Sequence, residues 1–272
     1  MLLGTNITSA KSFECARAFT SLGLIDFYEL LLDNFLHLEP ALVRAELGAT
    51  PVAFHIMASR FLTQDEERLA ETARLLRRWT EELQPLYVSD HLLVAEAAGR
   101  LLPESVEPRY TDPKVVAAAG RWQRSLSCPL LLENFPSLSA AGCGQVELFE
   151  QLQDQYGIRP LFDFSNAVIA ELNGADRADR WLTAGVQVTA CHISGYRHSS
   201  VVRDILIDSH DRAVSEQSWE LLRDFAASGR TPETLVIERD GHIDRDSWQA
   251  DLVLAQQLRT AAARSPRVAV VS

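Results

Sequence analysis

The sequence predicts an α/β fold in which a single domain forms a (β/α)₈ TIM barrel. Eight short apolar or β-branched runs alternate with longer amphipathic segments along the 272 residues. This alternation is typical of a parallel sheet, because parallel strands need crossover connections, which are usually helices. Eight strand–helix units in a chain close to about 250 residues fit a closed barrel. A doubly wound open sheet, which alternates in the same way, is the alternative.

The eight predicted strands are short and rich in apolar or β-branched residues, as expected for strands covered by helices. In chain order they are residues 2–8, 25–32, 51–57, 86–92, 129–135, 159–166, 188–195 and 234–240.

Helices are predicted between these strands. The clearest is 63–83, where apolar residues repeat at helical spacing. Thr63 and Glu66 form a capping-box pattern at its start. Pro113 can open another helix at the first position, which proline favours, and Ser215 can cap the helix that follows it.

The domain organisation is predicted to be simple. No linker, low-complexity tract or short repeat divides the chain, so we expect one TIM-barrel domain over residues 1–272. The ordered barrel should extend to about residue 260, followed by a C-terminal tail at about 261–272.

Composition narrows the class of partners and the compartment. The formal net charge of −11 argues against binding of nucleic acid or of an anionic membrane. The four cysteines form no CxxC pair, which indicates a reducing compartment. No signal-peptide pattern stands at the N-terminus, and no apolar run reaches the roughly 18 residues of a membrane span. We therefore expect a soluble, cytoplasmic protein.

Nine side chains that can bind a metal lie at or just beyond the carboxyl ends of six predicted strands. They are His55, His91, Glu133, Asp163, Asn166, His192, Asp208, His210 and Glu238. Asp163 and Asn166 are placed at the end of the sixth strand, and Asp208 and His210 in the long polar loop 196–214. Active sites of TIM barrels lie at the carboxyl ends of the strands, so we expect the nine residues to share one pocket.

This set of ligands favours a metal centre with more than one ion. Buried carboxylates are costly unless they are paired or coordinate a cation. Imidazole and carboxylate ligands without clustered thiolates suit iron, manganese or zinc. The set exceeds the three protein ligands usual for one catalytic metal, so two or three ions are expected. Glu133 is the best candidate to bridge two of them, and Glu133, Asp208 and His210 are assigned catalytic roles.

The prediction depends on the joint placement of these residues, because a lone histidine in a strand is more often a hydrogen-bonded core residue. His37, His198 and His242 lack such support and are not included in the site. Glu29 and Asp240 could orient the imidazoles or could be ordinary polar residues of the pocket. Cys191 faces away from its neighbour His192 along the strand, so a core position is expected.

Several segments resemble those of a known family, the multinuclear non-haem iron-dependent oxidases. The resemblance runs from GTNIT near the N-terminus to about residue 250 and is carried by AFHIMASRF, YVSDHL, LLLENFPS, LFDFSNA, CHISGY, IDSHDR and VIERD. Within the family, the chain is most similar to the iron subunit of the methanobactin-biosynthesis oxygenase.

The resemblance implies a xylose-isomerase-like TIM barrel that holds two or three iron ions, with mixed Fe(II) and Fe(III), at the nine positions above. It implies oxidation of cysteine in a ribosomally made precursor peptide, with dioxygen as co-substrate. In methanobactin-type members, the cysteine becomes an oxazolone with a neighbouring thioamide. Those members form a heterodimer with a smaller partner protein that helps to bind the leader peptide.

Three other functions remain as alternatives. A divalent-metal sugar isomerase and a zinc phosphodiesterase use the same residue types at strand ends of the same barrel. A sugar isomerase should not consume oxygen. A DNA phosphodiesterase usually has a basic binding face, so the acidic net charge weakens that hypothesis. A non-catalytic metal carrier would hold metal but show no turnover.

Overall fold

The computed structural model, which describes residues 1–97 and 99–264, confirms the predicted barrel. The strands are β1 (Leu2–Ile7), β2 (Phe27–Leu31), β3 (Val52–Ile56), β4 (Val88–His91), β5 (Val94–Ala97), β6 (Arg100–Val106), β7 (Leu130–Glu133), β8 (Arg159–Asp163), β9 (Ala190–Ile193), β10 (Tyr196–His198), β11 (Leu206–Asp208) and β12 (Thr234–Ile237). Eight of them close a parallel barrel in the order β1-β12-β9-β8-β7-β4-β3-β2, which excludes the open sheet. The pairs β5–β6 and β10–β11 are antiparallel and stand outside the barrel.

Helices follow the barrel strands and cover their outer faces. They are α1 (Ala10–Ser21), α2 (Pro40–Leu47), α3 (Glu66–Leu83), α4 (Pro113–Ser125), α5 (Gln145–Tyr156), α6 (Phe164–Leu172), α7 (Arg180–Thr183), α8 (Glu216–Ala227) and α9 (Arg245–Arg264). The predicted first residue of α4 and the Ser215 cap of α8 are confirmed.

The predicted capping box at Thr63 is wrong. The helix begins at Glu66, and Asp65 is its N-cap, whose carboxylate accepts a hydrogen bond from the Arg68 amide at 2.9 Å. The chain before it forms a turn in which the Thr63 amide donates to the Arg60 carbonyl. Asp65 has the extended backbone that an N-cap requires, so it replaces Thr63 in this role.

Successive side chains of a strand point to opposite faces, so the apolar core has two parts: one between the strands and the helices, and one inside the barrel. Phe54 faces outward and packs edge-on against Trp79 of α3, with ring centroids 6.3 Å apart. Ala53 faces inward and packs with Phe27 and Val236 inside the barrel. At Gly4 a Cβ atom would lie 2.6 Å from the ring of Phe27, so the interior has room for that ring only because residue 4 is glycine.

The long loop after β9 contains an ordered hairpin, β10–β11. The Asn173 side chain, just after α6, holds this hairpin by donating to the Leu206 carbonyl and accepting from the Leu206 amide, both at 2.9 Å. The His210 amide donates to the Gly195 carbonyl at 3.0 Å, which closes the base of the loop. The hairpin therefore returns Asp208 and His210 to the barrel mouth.

The C-terminal helix α9 continues to Arg264, and residues 265–272 of the predicted tail lie outside the described residues. Among the described helices, none has both the length and the apolar character that a bilayer crossing requires.

Candidate metal centre

The carboxyl ends of the barrel strands surround a cavity of about 260 Å³. Its lining includes His55, His91, Glu133, Asp208, His210 and Glu238. Asp163, Asn166 and His192 lie next to these residues and are buried. The structure thus brings all nine predicted residues to one end of the barrel, as the strand-end rule anticipates.

The first group of candidate metal ligands, or donor group, consists of His55, His91 and Glu133. The two Nε2 atoms are 3.1 Å apart, and they lie 3.3 Å and 3.2 Å from Glu133 Oε2. Two ligand atoms bound to one ion at about 2.1 Å are themselves about 3.0–3.4 Å apart at octahedral to tetrahedral angles. The spacing of this group therefore fits three ligands of a single metal ion.

The second group consists of Glu133, Asp163, His192 and Glu238, each of which offers a donor atom within 4.8 Å of the others. His192 Nδ1 lies 3.1 Å from Glu238 Oε2 and 3.6 Å from Glu133 Oε1. Glu133 thus points one oxygen at each group. This is the geometry expected of a bridging carboxylate.

Four buried polar atoms around the second group have no hydrogen-bond partner among the described residues. They are Asp163 Oδ2, Asn166 Oδ1, His192 Nδ1 and Glu238 Oε2. Buried polar atoms are nearly always paired, and an unpaired one costs about 1–3 kcal/mol. His192 Nδ1 and Glu238 Oε2 lie 3.1 Å apart without making a hydrogen bond, and a cation bound among the four atoms would explain why all of them lack partners.

A third set of donors lies on the open side of the site. His210 Nε2 is 2.5 Å from Asp208 Oδ2 and 3.7 Å from Glu238 Oε2. Ser194 donates to the other Asp208 oxygen at 2.9 Å. Glu238 therefore stands between the second group and this pair, as Glu133 stands between the first and the second.

The tautomers of the first two imidazoles are fixed by neutral groups. Ser89 Oγ donates to the Phe54 carbonyl, so its oxygen accepts from His55 Nδ1 at 2.8 Å. His91 Nδ1 donates to the Ile56 carbonyl at 3.0 Å. In the neutral form of both rings the lone pair is therefore on Nε2, which faces Glu133.

The other two imidazoles are held by carboxylates. His192 Nε2 lies 3.0 Å from Glu29 Oε2, and His210 Nδ1 lies 2.8 Å from Asp240 Oδ2. Asn6 donates to the second Asp240 oxygen. Because a carboxylate only accepts, each ring donates outward and directs its remaining nitrogen into the site.

The site concentrates negative charge in a buried volume. Burial raises the pKa of Asp163 well above its usual value, and the charges of Asp208 and Glu133 raise it further. Burial would also raise the pKa of Glu133, but the facing imidazoles of His192, His55 and His91 hold it well below its usual value. A bound cation would offset this crowding of carboxylates.

One predicted position differs from the structure. Asn166 does not end the sixth barrel strand but lies in the first turn of α6. The strand stops at Asp163, whose carboxylate caps the helix directly by accepting from the Asn166 amide at 2.7 Å. No loop separates strand from helix, so both side chains still reach the site.

Among the residues that sequence reasoning set aside, Cys191 is buried in the outer core, as predicted. Glu29 and Asp240 contact imidazoles rather than serving as general pocket polars. Asn6, Ser89 and Tyr87, whose hydroxyl donates to Glu29, were missed. Asn6 is polar and near the end of β1, so the strand-end rule could have found it, whereas nothing local distinguishes Ser89 or Tyr87.

Comparisons with known proteins place this geometry in context. A model of the RiPP precursor modification enzymes MbnB/TglH/ChrH matches residues 10–261. A UPF0276 protein of Caulobacter vibrioides is 29% identical over 250 residues, which span 86% of each chain. A UPF0276 protein of Bordetella pertussis is 25% identical over 235 residues, 80% of each chain.

Solved structures confirm the xylose-isomerase-like fold. A xylose isomerase-like TIM barrel protein from Mycobacterium smegmatis, in complex with magnesium, superposes with a TM-score of 0.61 at 12% identity, covering 96% of this chain and 97% of that one. The 3-keto-D-glucoside 4-epimerase YcjR from E. coli gives a TM-score of 0.57 at 15% identity, with 96% and 99% coverage. At these identities the likeness concerns the fold alone.

Fold and site together define a TIM-barrel enzyme with a buried cluster of histidines and carboxylates that could hold metal ions. The match over most of its length shows that the chain belongs to the MbnB/TglH/ChrH family, enzymes that modify ribosomally synthesized precursor peptides.

Proposed function

We propose that this chain is an iron- and dioxygen-dependent oxidase that modifies cysteine in a ribosomally made precursor peptide, with oxazolone and thioamide groups as the products. The observation that supports it most strongly is the Glu133 carboxylate, which directs one oxygen at each of two donor groups. Two or three irons would be held by the nine residues that lie together at the mouth of the barrel. A site for a single ion needs neither the second group nor its unpaired atoms.

Iron supplies one-electron chemistry with dioxygen, which cysteine oxidation needs and which amino-acid side chains lack. Asp208 and His210 lie on the open side of the cavity, with side chains 19% and 16% exposed. They are placed to meet the incoming peptide, and as ligands they would present Asp208 Oδ2 and His210 Nε2 to the metal on that side. The buried candidate ligands, among them Asp163 and His192, exclude water from the inner side of the site, away from the opening.

The proposed reaction balances with one molecule of dioxygen. Conversion of a cysteine and its preceding residue to an oxazolone and a thioamide removes four hydrogen atoms, that is, four electrons and four protons. Dioxygen accepts all of them and forms two molecules of water. No external reductant is needed in each turnover.

The direct test is turnover of a cysteine-containing precursor peptide by iron-loaded protein. A small cysteine-containing peptide encoded beside this chain is the first substrate to try. We expect mass loss of four hydrogens per modified cysteine, oxygen uptake in equal amount to product, and no reaction with a Cys→Ser peptide. Isomerisation of a sugar without oxygen uptake would overturn the proposal.

We also propose that the active form is a heterodimer with a smaller partner protein that binds the leader peptide. The chain alone should therefore show weak or no turnover, and a stable one-to-one complex should elute when the two proteins are mixed. Size-exclusion chromatography with light scattering measures the complex. Full turnover by the isolated chain would contradict this part.

A further inference from the structure

Glu29 is buried beside the candidate metal centre, but it belongs to neither of the two groups of candidate metal ligands. It lies on β2 and points into the barrel, where Oε2 is 3.0 Å from His192 Nε2. The same oxygen accepts a hydrogen bond from the Tyr87 hydroxyl at 2.5 Å. Tyr87, Glu29 and His192 therefore form a continuous chain of hydrogen bonds that ends at a candidate ligand.

The ring of Tyr87 is held in place by apolar packing. Its ring lies against both apolar clusters inside the barrel, one that includes Phe27 and one that includes Leu131. The ring also lines a cavity of about 360 Å³ at the opposite mouth of the barrel. The side chain therefore reaches along the barrel interior and presents its hydroxyl to Glu29.

The protonation of Tyr87 and Glu29 determines which group donates in each of these two hydrogen bonds. Burial and the Glu29 charge raise the pKa of Tyr87 well above its usual value, so the phenol remains a donor. The Glu29 carboxylate only accepts, so His192 must donate from Nε2. His192 Nδ1 then faces Glu133 and Glu238.

His192 depends on its carboxylate partner more than His55 and His91 depend on their neutral partners. His55 and His91 donate to a serine and to a backbone carbonyl that the strands position in any case. His192 is fully buried, and its outer nitrogen meets only the Glu29 carboxylate among the described contacts. Without a carboxylate there, the ring has no fixed direction in which to donate.

We propose that Glu29 and Tyr87 are positioning residues for His192: the tyrosine hydroxyl fixes the carboxylate, and the carboxylate fixes the ring so that Nδ1 serves as the metal ligand. The inference rests on the proposed function, in which His192 binds metal. Loss of a carboxylate behind a metal-bound imidazole typically lowers metal affinity about 10–100-fold.

The first measurement is made on metal-free protein labelled with ¹⁵N-histidine. In long-range ¹H–¹⁵N spectra, His192 should show a low-field proton on Nε2, whether or not Nδ1 also carries a proton. Glu29→Gln should abolish this signal or move it strongly upfield. Tyr87→Phe keeps the ring that packs the interior and should move it less. Tyr28→Phe is the matched control, because it removes another buried tyrosine hydroxyl, bonded to Thr20, outside the site.

The second measurement is retention of Zn²⁺ against a chelator. Glu29→Gln should weaken retention about 10–100-fold, Tyr87→Phe by a few-fold, and Tyr28→Phe not at all. A Glu29→Gln protein with an unchanged His192 signal and wild-type retention would overturn the positioning role. If the His192 signals follow the prediction but the wild-type protein takes up no Zn²⁺ or iron, the positioning role stands and the proposed function fails.

Discussion

The four imidazoles of the site form two pairs that differ in the groups behind them. His55 and His91 donate to a serine hydroxyl and a backbone carbonyl, which are neutral. His192 and His210 donate to the carboxylates of Glu29 and Asp240. A carboxylate behind a ring makes the inner nitrogen more basic and holds the ring more firmly. We therefore expect the carboxylate-backed pair to bind its metal more tightly than the neutral-backed pair.

The pKa values of His91, His192 and His210 follow the same division, but that of His55 does not. Burial lowers the pKa of His55, but the hydrogen bond and the charge of Glu133 outweigh burial and raise it, although the group behind the ring is neutral. Burial lowers the pKa of His91 to about 4, and the neighbouring His55 contributes to the decrease. Burial also lowers the pKa of His192 and of His210, but the surrounding carboxylates outweigh it and raise both well above the usual value. Burial is common to these three rings, so charge in their surroundings makes the difference. Residues of one type at one barrel end thus acquire different ligand properties.

The largest effect is expected from Glu133→Gln, because Glu133 faces both halves of the site: the neutral-backed half with His55 and the carboxylate-backed half with His192. The amide keeps the shape but removes the charge that offsets metal charge in a buried site. We expect loss of at least one iron and nearly all cysteine oxidation, with the fold retained. Iron analysis, peptide mass spectrometry and circular dichroism measure these quantities. Glu220→Gln, the same change on the exposed face of α8, is the control. A variant with full iron and a normal rate would rule out the bridge.

An intermediate effect is expected from Asp240→Asn in the carboxylate-backed half. The substitution removes the charge behind His210, so metal retention should fall toward the lower end of the roughly 10–100-fold range. The Asp240 side chain is 41% exposed, and solvent screens its charge more than that of buried Glu29. Retention can be measured by competition with a chelator. A loss larger than that of Glu29→Gln would contradict this ranking.

The smallest effect on metal is expected from Ser89→Ala in the neutral-backed half. The change leaves the His55 Nδ1 proton without its acceptor, which should cost about 1–3 kcal/mol of stability. Metal retention should fall only a few-fold, because no charge is lost. Urea unfolding and the same chelator assay separate the two quantities. Retention as poor as in Asp240→Asn would show that the charge of the partner does not matter.

The sequence predicts the strands and the donor set well because both follow local rules. The pattern of apolar runs locates all eight barrel strands, and the strand-end rule identifies residues such as His55, His192 and Glu238. The partners behind the rings are harder to predict, because Glu29 lies 163 residues from His192 and meets it only when the barrel closes. Asn166 was misplaced because a strand that runs directly into a helix leaves no turn signal.

The central claim is that Glu133 joins the two halves into one multinuclear iron centre. The most direct test combines iron analysis with Mössbauer and electron paramagnetic resonance spectra of protein prepared anaerobically with iron. We predict more than one iron per chain, magnetic coupling between irons, and loss of that coupling in Glu133→Gln. One iron or fewer per chain, or irons that show no coupling in the wild-type protein, would contradict the account.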